Sequence, residues 1–395
     1  MLQTQLEGHP LVYLDSAATG LKSRQVIEAM ASFLTHSDAP IHRAAYATSQ
    51  RATELYHAGR SKVQHLIGAR SPTEVIFTRG TTDSINLLAA SIAQARLRPG
   101  DEVWVSAMEH HSNLVPWQMA CKASGARLRC IPMDAHGNLQ LTAFPPQTRI
   151  LAVSHIGNVT GTVNPIEQLA QMAHQVGAWL VVDGAQAVGH RPIDVQALNC
   201  DFYAFSGHKM GGPTGIGVLY GREELLNLLP PTRGGGDMVE TVTFEATSYA
   251  ELPLKFEPGT PMTAEAIGLG AAVDYLNAIG LDNIHRHEQQ LLSQAHSLLE
   301  PIDGLRILGT PAERAGLISC TVDGVHPLDL ATLLSCRGVA IRSGHLCAQP
   351  TMAHFGISGC WRISFGPYTT QEDLELFGEA LHWAIGRIKK GQQDF

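Results

Sequence analysis

This 395-residue chain has no long apolar run and no block of lysine and arginine. No uninterrupted apolar stretch reaches the about 20 residues a membrane-spanning helix needs. Residues 1–10 lack the basic-then-apolar pattern of a secretory leader, so a cytoplasmic protein with no membrane partner is expected. The 28 Lys and Arg are outnumbered by 36 Asp and Glu, for a net charge of -8. Without a basic patch, nucleic acid is not an expected ligand, and any anionic ligand must be held by a local site. The seven cysteines are scattered and form no C-x-x-C pair, which argues against a disulfide framework and structural zinc, so no metal site is expected. The lysine-bearing Walker pattern and a G-x-G-x-x-G fingerprint are also missing, which disfavours a nucleoside triphosphate or a dinucleotide.

Hydrophobic residues make up 44% of the chain, enough for a large core divided between two or more domains. Strand patterns over 74–79, 102–106, 149–155, 179–182 and 202–205 alternate with helical patterns over 80–96, from about 116, and over 166–175. Apolar strands interleaved with amphipathic helices predict an α/β fold, with a mostly parallel sheet covered on both faces. After Pro261 two helical stretches, 263–279 and 281–299, lead into an α+β region with a strand over 316–322. The division expected is an N-terminal segment, 1–14, packing on the small domain; a large domain, 15–262; and a small C-terminal domain, 263–395.

In such sheets ligands gather at the carboxyl ends of the strands. That rule collects Thr81, Thr82, His110, Asn158, Asp183, Gln186, Ser206, His208 and Lys209 near one edge. Lys209 follows an apolar strand and precedes a glycine-rich stretch, a setting in which a desolvated lysine forms Schiff bases. Thr81 and Thr82 open a helix, where backbone N–H groups and the dipole suit a phosphate, although the same residues suffice as plain N-caps. Asp183 directly follows Val181-Val182 and needs either a cationic partner or a capping role to offset burial. His110 at a strand end can lie flat on an aromatic ligand or serve as a hydrogen-bonded structural histidine. His42 and Arg43 in a loop are further contact candidates. Cys347, beside His345 in a loop expected to be mobile and exposed, is placed to ionise and attack, unlike a buried thiol.

A Schiff-base lysine, a carboxylate for a ring nitrogen and a hydroxyl-bearing helix start are what pyridoxal 5'-phosphate requires. The segments Tyr13-Leu14-Asp15-Ser16-Ala17-Ala18, Arg79-Gly80-Thr81-Thr82, Glu109-His110-His111, Val182-Asp183-Gly184-Ala185-Gln186, Ser206-Gly207-His208-Lys209 and Arg342-Ser343-Gly344-His345-Leu346-Cys347 extend the match over nearly the whole chain. In them the sequence resembles the cysteine desulfurases of the class V aminotransferase family, fold-type I enzymes, and more narrowly the Suf and Csd group. The resemblance implies a seven-stranded sheet, pyridoxal 5'-phosphate as cofactor, L-cysteine as substrate, a homodimer and a SufE-like or CsdE-like sulfur-acceptor protein. It implies catalytic roles for Lys209, Cys347 and His110, with His110 stacked on the ring, Asp183 paired with its nitrogen and Gln186 on its phenolic oxygen. Thr81 or Thr82, Ser206 and His208 would hold the phosphate, and Thr260 would reach the phosphate of the partner subunit. His42, Asn158, Arg342 and Arg362 would bind the substrate amino acid. The product would be alanine and a persulfide on Cys347, passed on for assembly of iron-sulfur clusters or other sulfur cofactors. Selenocysteine lyase, cysteine sulfinate desulfinase, aminotransferase or epimerase chemistry and a non-catalytic relay scaffold remain alternatives. One departure stands out: Leu346 occupies the place where members often carry a second histidine.

Overall fold

The computed structural model describes residues 4–42 and 44–393, so Arg43, a candidate contact above, lies outside the described residues. Seven strands form the central sheet in the order Val75–Thr78, Gly217–Gly221, Phe202–Ser206, Trp179–Asp183, Thr148–Ser154, Glu102–Ser106, Arg127–Ile131. Gly217–Gly221 runs antiparallel to both neighbours, and every other pairing in the sheet is parallel. This is the expected fold-type I architecture. Two of its strands carried no clear signal in the sequence. Gly217–Gly221 is short and bounded by glycines, which pack poorly in strands, and Arg127–Ile131 is an edge strand with three exposed residues.

Alternation along the inner strands assigns side chains to two opposite faces. Leu180 and Val182 join a core with helices Ala47–Leu66, Ile166–Gln175 and Thr263–Ile279, while Val181 faces helices Thr81–Ala95 and Val115–Ser124. On the first face two helices cross so closely that a Cβ on Gly59 would lie 2.5 Å from the carbonyl oxygen of Ala266. Glycine is needed there for close approach.

A buried ion pair joins this face to the segment leading to Thr260. Arg60, 2% exposed, donates to both carboxylate oxygens of Glu257, Nη1 at 2.7 Å and Nη2 at 2.8 Å. Glu257 also accepts from the Tyr56 hydroxyl at 3.0 Å and the Phe77 amide at 2.6 Å. Removing one member of such a pair leaves an uncompensated buried charge, so Arg60→Met is expected to cost about 3–5 kcal/mol of stability, read from the denaturant midpoint. A loss below about 1 kcal/mol would mean that Glu257 is relieved in some other way.

The smaller body is a four-stranded antiparallel sheet in the order Leu305–Ile307, Leu317–Val322, Cys360–Ser364, Arg342–Gly344. Its core takes in Val12 and Leu14, and the strand Val12–Tyr13 pairs in parallel with Val339–Ala340. The two helices from residue 263 onward are shared between the cores. Ala266, Leu269, Val273 and Leu276 of the helix Thr263–Ile279 pack in the large core, and helix Leu281–Leu299 carries Ile284 in that core but Leu291, Ala295 and Leu299 in the small one. A sequence pattern marks where a helix starts, whereas core membership depends on what its buried face meets.

Candidate active site

At the carboxyl ends of the central strands a cavity of about 340 Å³ lies between the two bodies. Thr81, Thr82, His110, Asn158, Asp183, Gln186, Ser206, His208, Lys209, Arg342, Cys347 and Arg362, all singled out from the sequence, line it. His42 and Thr260 do not. The His42 ring lies 6.0 Å from that of Tyr56, and Thr260 borders a separate cleft with Tyr56, Arg79 and Arg233.

The helix Thr81–Ala95 points its N-terminus at the cavity, because strand Val75–Thr78 ends in the turn at Gly80. Ser206, the last residue of its own strand, accepts from the Thr81 amide at 2.8 Å and shares a hydrogen bond with the Thr81 hydroxyl at 2.7 Å. The Thr82 hydroxyl meets that of Ser112 at 2.6 Å, and Ser112 in turn lies 3.0 Å from Nδ1 of His110. Hydroxyls and the start of a helix thus converge on one end of the cavity, a suitable cradle for a phosphate.

His110 caps the short turn His111–Asn113 by accepting from the Ser112 amide at 3.1 Å. Burial, with Lys209, His111 and Arg362 nearby, pushes its pKa down to about 4, so the imidazole is neutral at pH 7. A neutral ring suits stacking on a cationic heterocycle. Behind it Glu109 is buried and receives hydrogen bonds from Ser154 (amide 2.8 Å, hydroxyl 2.6 Å), Asn113 (2.6 Å) and Ser106. Burial raises that carboxyl to about 7.

Asp183 ends the strand Trp179–Asp183 and accepts from the Ala185 amide at 2.9 Å. Burial raises its pKa against that bond and the attraction of Lys209. A protonated ring nitrogen would add the cation this carboxylate needs. Lys209 sits in the 3₁₀ turn Gly207–Met210. Burial lowers its pKa to about 8, with Asp183 and Cys347 opposing the shift and Arg362 reinforcing it. The buried carboxylate, the helix-start hydroxyls and the depressed lysine together fit pyridoxal 5'-phosphate.

A lysine near 8 is neutral in about a tenth of molecules at pH 7, against fewer than about one in a thousand near 10.5. Because the neutral amine is the nucleophile, the rate at which cofactor-free protein captures pyridoxal phosphate should rise with pH through about 8 and then level off. Stopped-flow absorbance between pH 6 and 10 reads this, and a rise confined to pH near 10 would contradict the depressed lysine.

Arg362 lies on the strand Cys360–Ser364 and is 3% exposed. Its Nη1 donates to the Asn158 carbonyl at 2.9 Å, its Nη2 lies 3.6 Å from Asp15 Oδ1, and its Nε has no hydrogen-bond partner. Arg342 donates to Asp15 Oδ2 at 2.7 Å. One carboxylate therefore aligns two guanidinium groups at the cavity, leaving donor capacity for a substrate carboxylate. Gln186 donates to the Ala17 carbonyl at 2.9 Å, and His208 Nδ1 lies 3.3 Å from the Thr19 hydroxyl.

The Cys347 loop is exposed as expected but fastened on several sides. The Cys347 amide donates to His345 Nδ1 at 3.1 Å, and its carbonyl accepts from the His111 amide at 2.8 Å. The Gln349 amide donates to His111 Nε2 at 3.3 Å. Among the described residues no cluster of three or more His, Cys, Asp or Glu could hold a metal. Sequence reasoning gave no role to Asp15, Ser112 or Ser154. The signal that marked Asp183, a carboxylate right after an apolar run, is also present at Val12-Tyr13-Leu14-Asp15. Ser112 and Ser154 carry no comparable signal.

Residues 12–377 match the family described as Aminotransferase class-V. The cysteine desulfurase of Escherichia coli (strain K12 / DH10B) is 47% identical over 380 residues, covering 95% of this chain and 93% of that protein. Among solved structures, the cysteine desulfurase CsdA of Escherichia coli superposes with a TM-score of 0.89 at 41% identity, covering 95% of this chain and 94% of the other. The cysteine desulfurase of Thermococcus onnurineus NA1 superposes with a TM-score of 0.92 at 36% identity, covering 98% of each chain.

Proposed function

This chain belongs to the class V aminotransferase family, among its cysteine desulfurases, and from that premise we propose that its cavity takes sulfur from L-cysteine with the help of pyridoxal 5'-phosphate. The observation that carries the reading is the meeting of Lys209 and Cys347, from different bodies of the fold, on one cavity. Thr81, Thr82, Ser206 and His208 would hold the phosphate, Asp183 the ring nitrogen, Gln186 the phenolic oxygen and His110 the ring face. When bound, the cofactor supplies an electron sink for the substrate α-carbon.

Arg362, with Arg342 and Asn158 beside it, orients the substrate through its carboxylate, and Lys209 Nζ takes the α-proton. The Cys347 thiolate attacks the sulfur of the substrate. An S–S bond forms, the C–S bond breaks, and the electron pair of that bond passes to carbon, which is then protonated. L-Cysteine and the Cys347 thiol thus become L-alanine and a Cys347 persulfide, with atoms and electrons in balance and no outside oxidant. The persulfide sulfur then passes to an acceptor protein of the SufE or CsdE kind, for iron-sulfur cluster or other sulfur-cofactor assembly.

The segment around Thr260, lying apart from the cavity of its own chain, suits a homodimer in which it reaches the phosphate of the partner subunit. Among the described residues no helix is long and apolar enough to cross a membrane, and a cytoplasmic location agrees with that. The test is incubation of the cofactor-loaded protein with L-cysteine, measuring alanine by chromatography and the mass of the peptide bearing Cys347. One alanine formed per sulfur atom gained on Cys347 supports the assignment. Alanine without added sulfur, or consumption of a keto acid, would transfer it to desulfinase or aminotransferase chemistry.

A further inference from the structure

We propose that Leu346 is a positioning residue: its buried side chain seats the backbone that presents Cys347 to the cavity. The inference rests on the reading of Cys347 as sulfur acceptor. Leu346 and Cys347 are consecutive non-glycine residues with left-handed backbone, φ of 51° and 52°. Side chains rarely adopt this region, and two in a row persist only where the surroundings over-determine them.

The surroundings do so unevenly. The Leu346 side chain is 9% exposed and packs in a cluster with Met108, Val159, Leu308, Met352 and Phe355. Its carbonyl accepts from Asn158 Nδ2 at 2.8 Å. Cys347, one residue on, is exposed, and its own amide and carbonyl are held by His345 and His111. The backbone thus turns one residue into an apolar socket and frees the next. Met108 and Val159 come from the large body, while Leu308, Met352 and Phe355 come from the region of the small one, so the socket exists only where the two meet. A leucine neither titrates nor donates a hydrogen bond. At this position the chain therefore holds its cysteine loop by burial, and polar fastening falls to His111, His345 and Asn158.

Leu346→Ala should empty the socket, and Leu346→Met, of similar volume, should refill it. The holoenzyme forms of both are compared with the unaltered protein by amide hydrogen exchange over residues 345–349 and by single-turnover formation of the Cys347 persulfide. In the alanine variant exchange should accelerate at least tenfold and persulfide formation slow at least tenfold, with the absorption band of the bound cofactor unchanged. The methionine variant should restore both. Should the alanine variant fail to fold, Met352→Ala, which thins the socket without touching the left-handed pair, gives the same readouts in smaller measure. Unchanged exchange and persulfide rates in the truncated variants overturn the proposal, as does failure of methionine to rescue. If the unaltered protein forms no persulfide, the functional reading fails instead, and exchange alone then decides whether Leu346 seats the loop.

Discussion

Turnover of L-cysteine should fall by about 10⁴-fold or more in Lys209→Ala, because on the proposed function the change removes both the amine that would anchor the cofactor and the base that would move the α-proton. The two roles separate experimentally. Treatment with borohydride should fix the cofactor onto the unaltered chain and leave the variant unlabelled, whereas added alkylamine should restore some proton transfer without restoring the label. The fold should survive, since removal of a desolvated ammonium relieves a burial cost. A variant retaining a hundredth of the original rate would show that another residue serves as base.

The second large effect is at Cys347. Cys347→Ser should abolish alanine formation from L-cysteine to within the background of the assay, while the absorption band of the bound cofactor and its affinity stay as they were. Serine is nearly isosteric and leaves the backbone bonds to His345 and His111 in place, so any loss reports the thiolate and not the loop. Oxygen is also far less nucleophilic than a thiolate toward sulfur. The same variant should still process cysteine sulfinate, whose sulfur leaves without nucleophilic attack. If it kept a normal rate on L-cysteine, the assignment of Cys347 as acceptor would fail.

Most of the cavity could be read before any coordinates, for a reason that lies in the topology. In a parallel sheet each strand delivers its following loop to the same edge, so Thr81, His110, Asp183, Ser206 and Lys209 converge by virtue of order alone. The roles of Asp15 and Leu346 could not be read this way. Asp15 acts by spanning Arg342 and Arg362, a relation between bodies of the fold that no local pattern encodes. Leu346 appeared in the sequence only as a missing histidine, and its value lies in the cluster it completes. Which core the helix Thr263–Ile279 joins was hidden likewise, since its periodicity is the same whichever it packs against.

The pairing of Val12–Tyr13 with Val339–Ala340 also bears on how the protein is made. Asp15 follows that strand and meets Arg342 across 327 residues of sequence. During synthesis the first strand leaves the ribosome long before its partner exists, and contacts of such separation form late. A chain arrested between residues 209 and 362 would hold Lys209 yet lack Arg362, and with it the complete arginine pair proposed to receive an amino acid. On the proposed function, a nascent chain would gain its full grip on free cysteine only when translation is nearly complete. A tag or truncation at the amino terminus would be felt at the opposite end of the sequence.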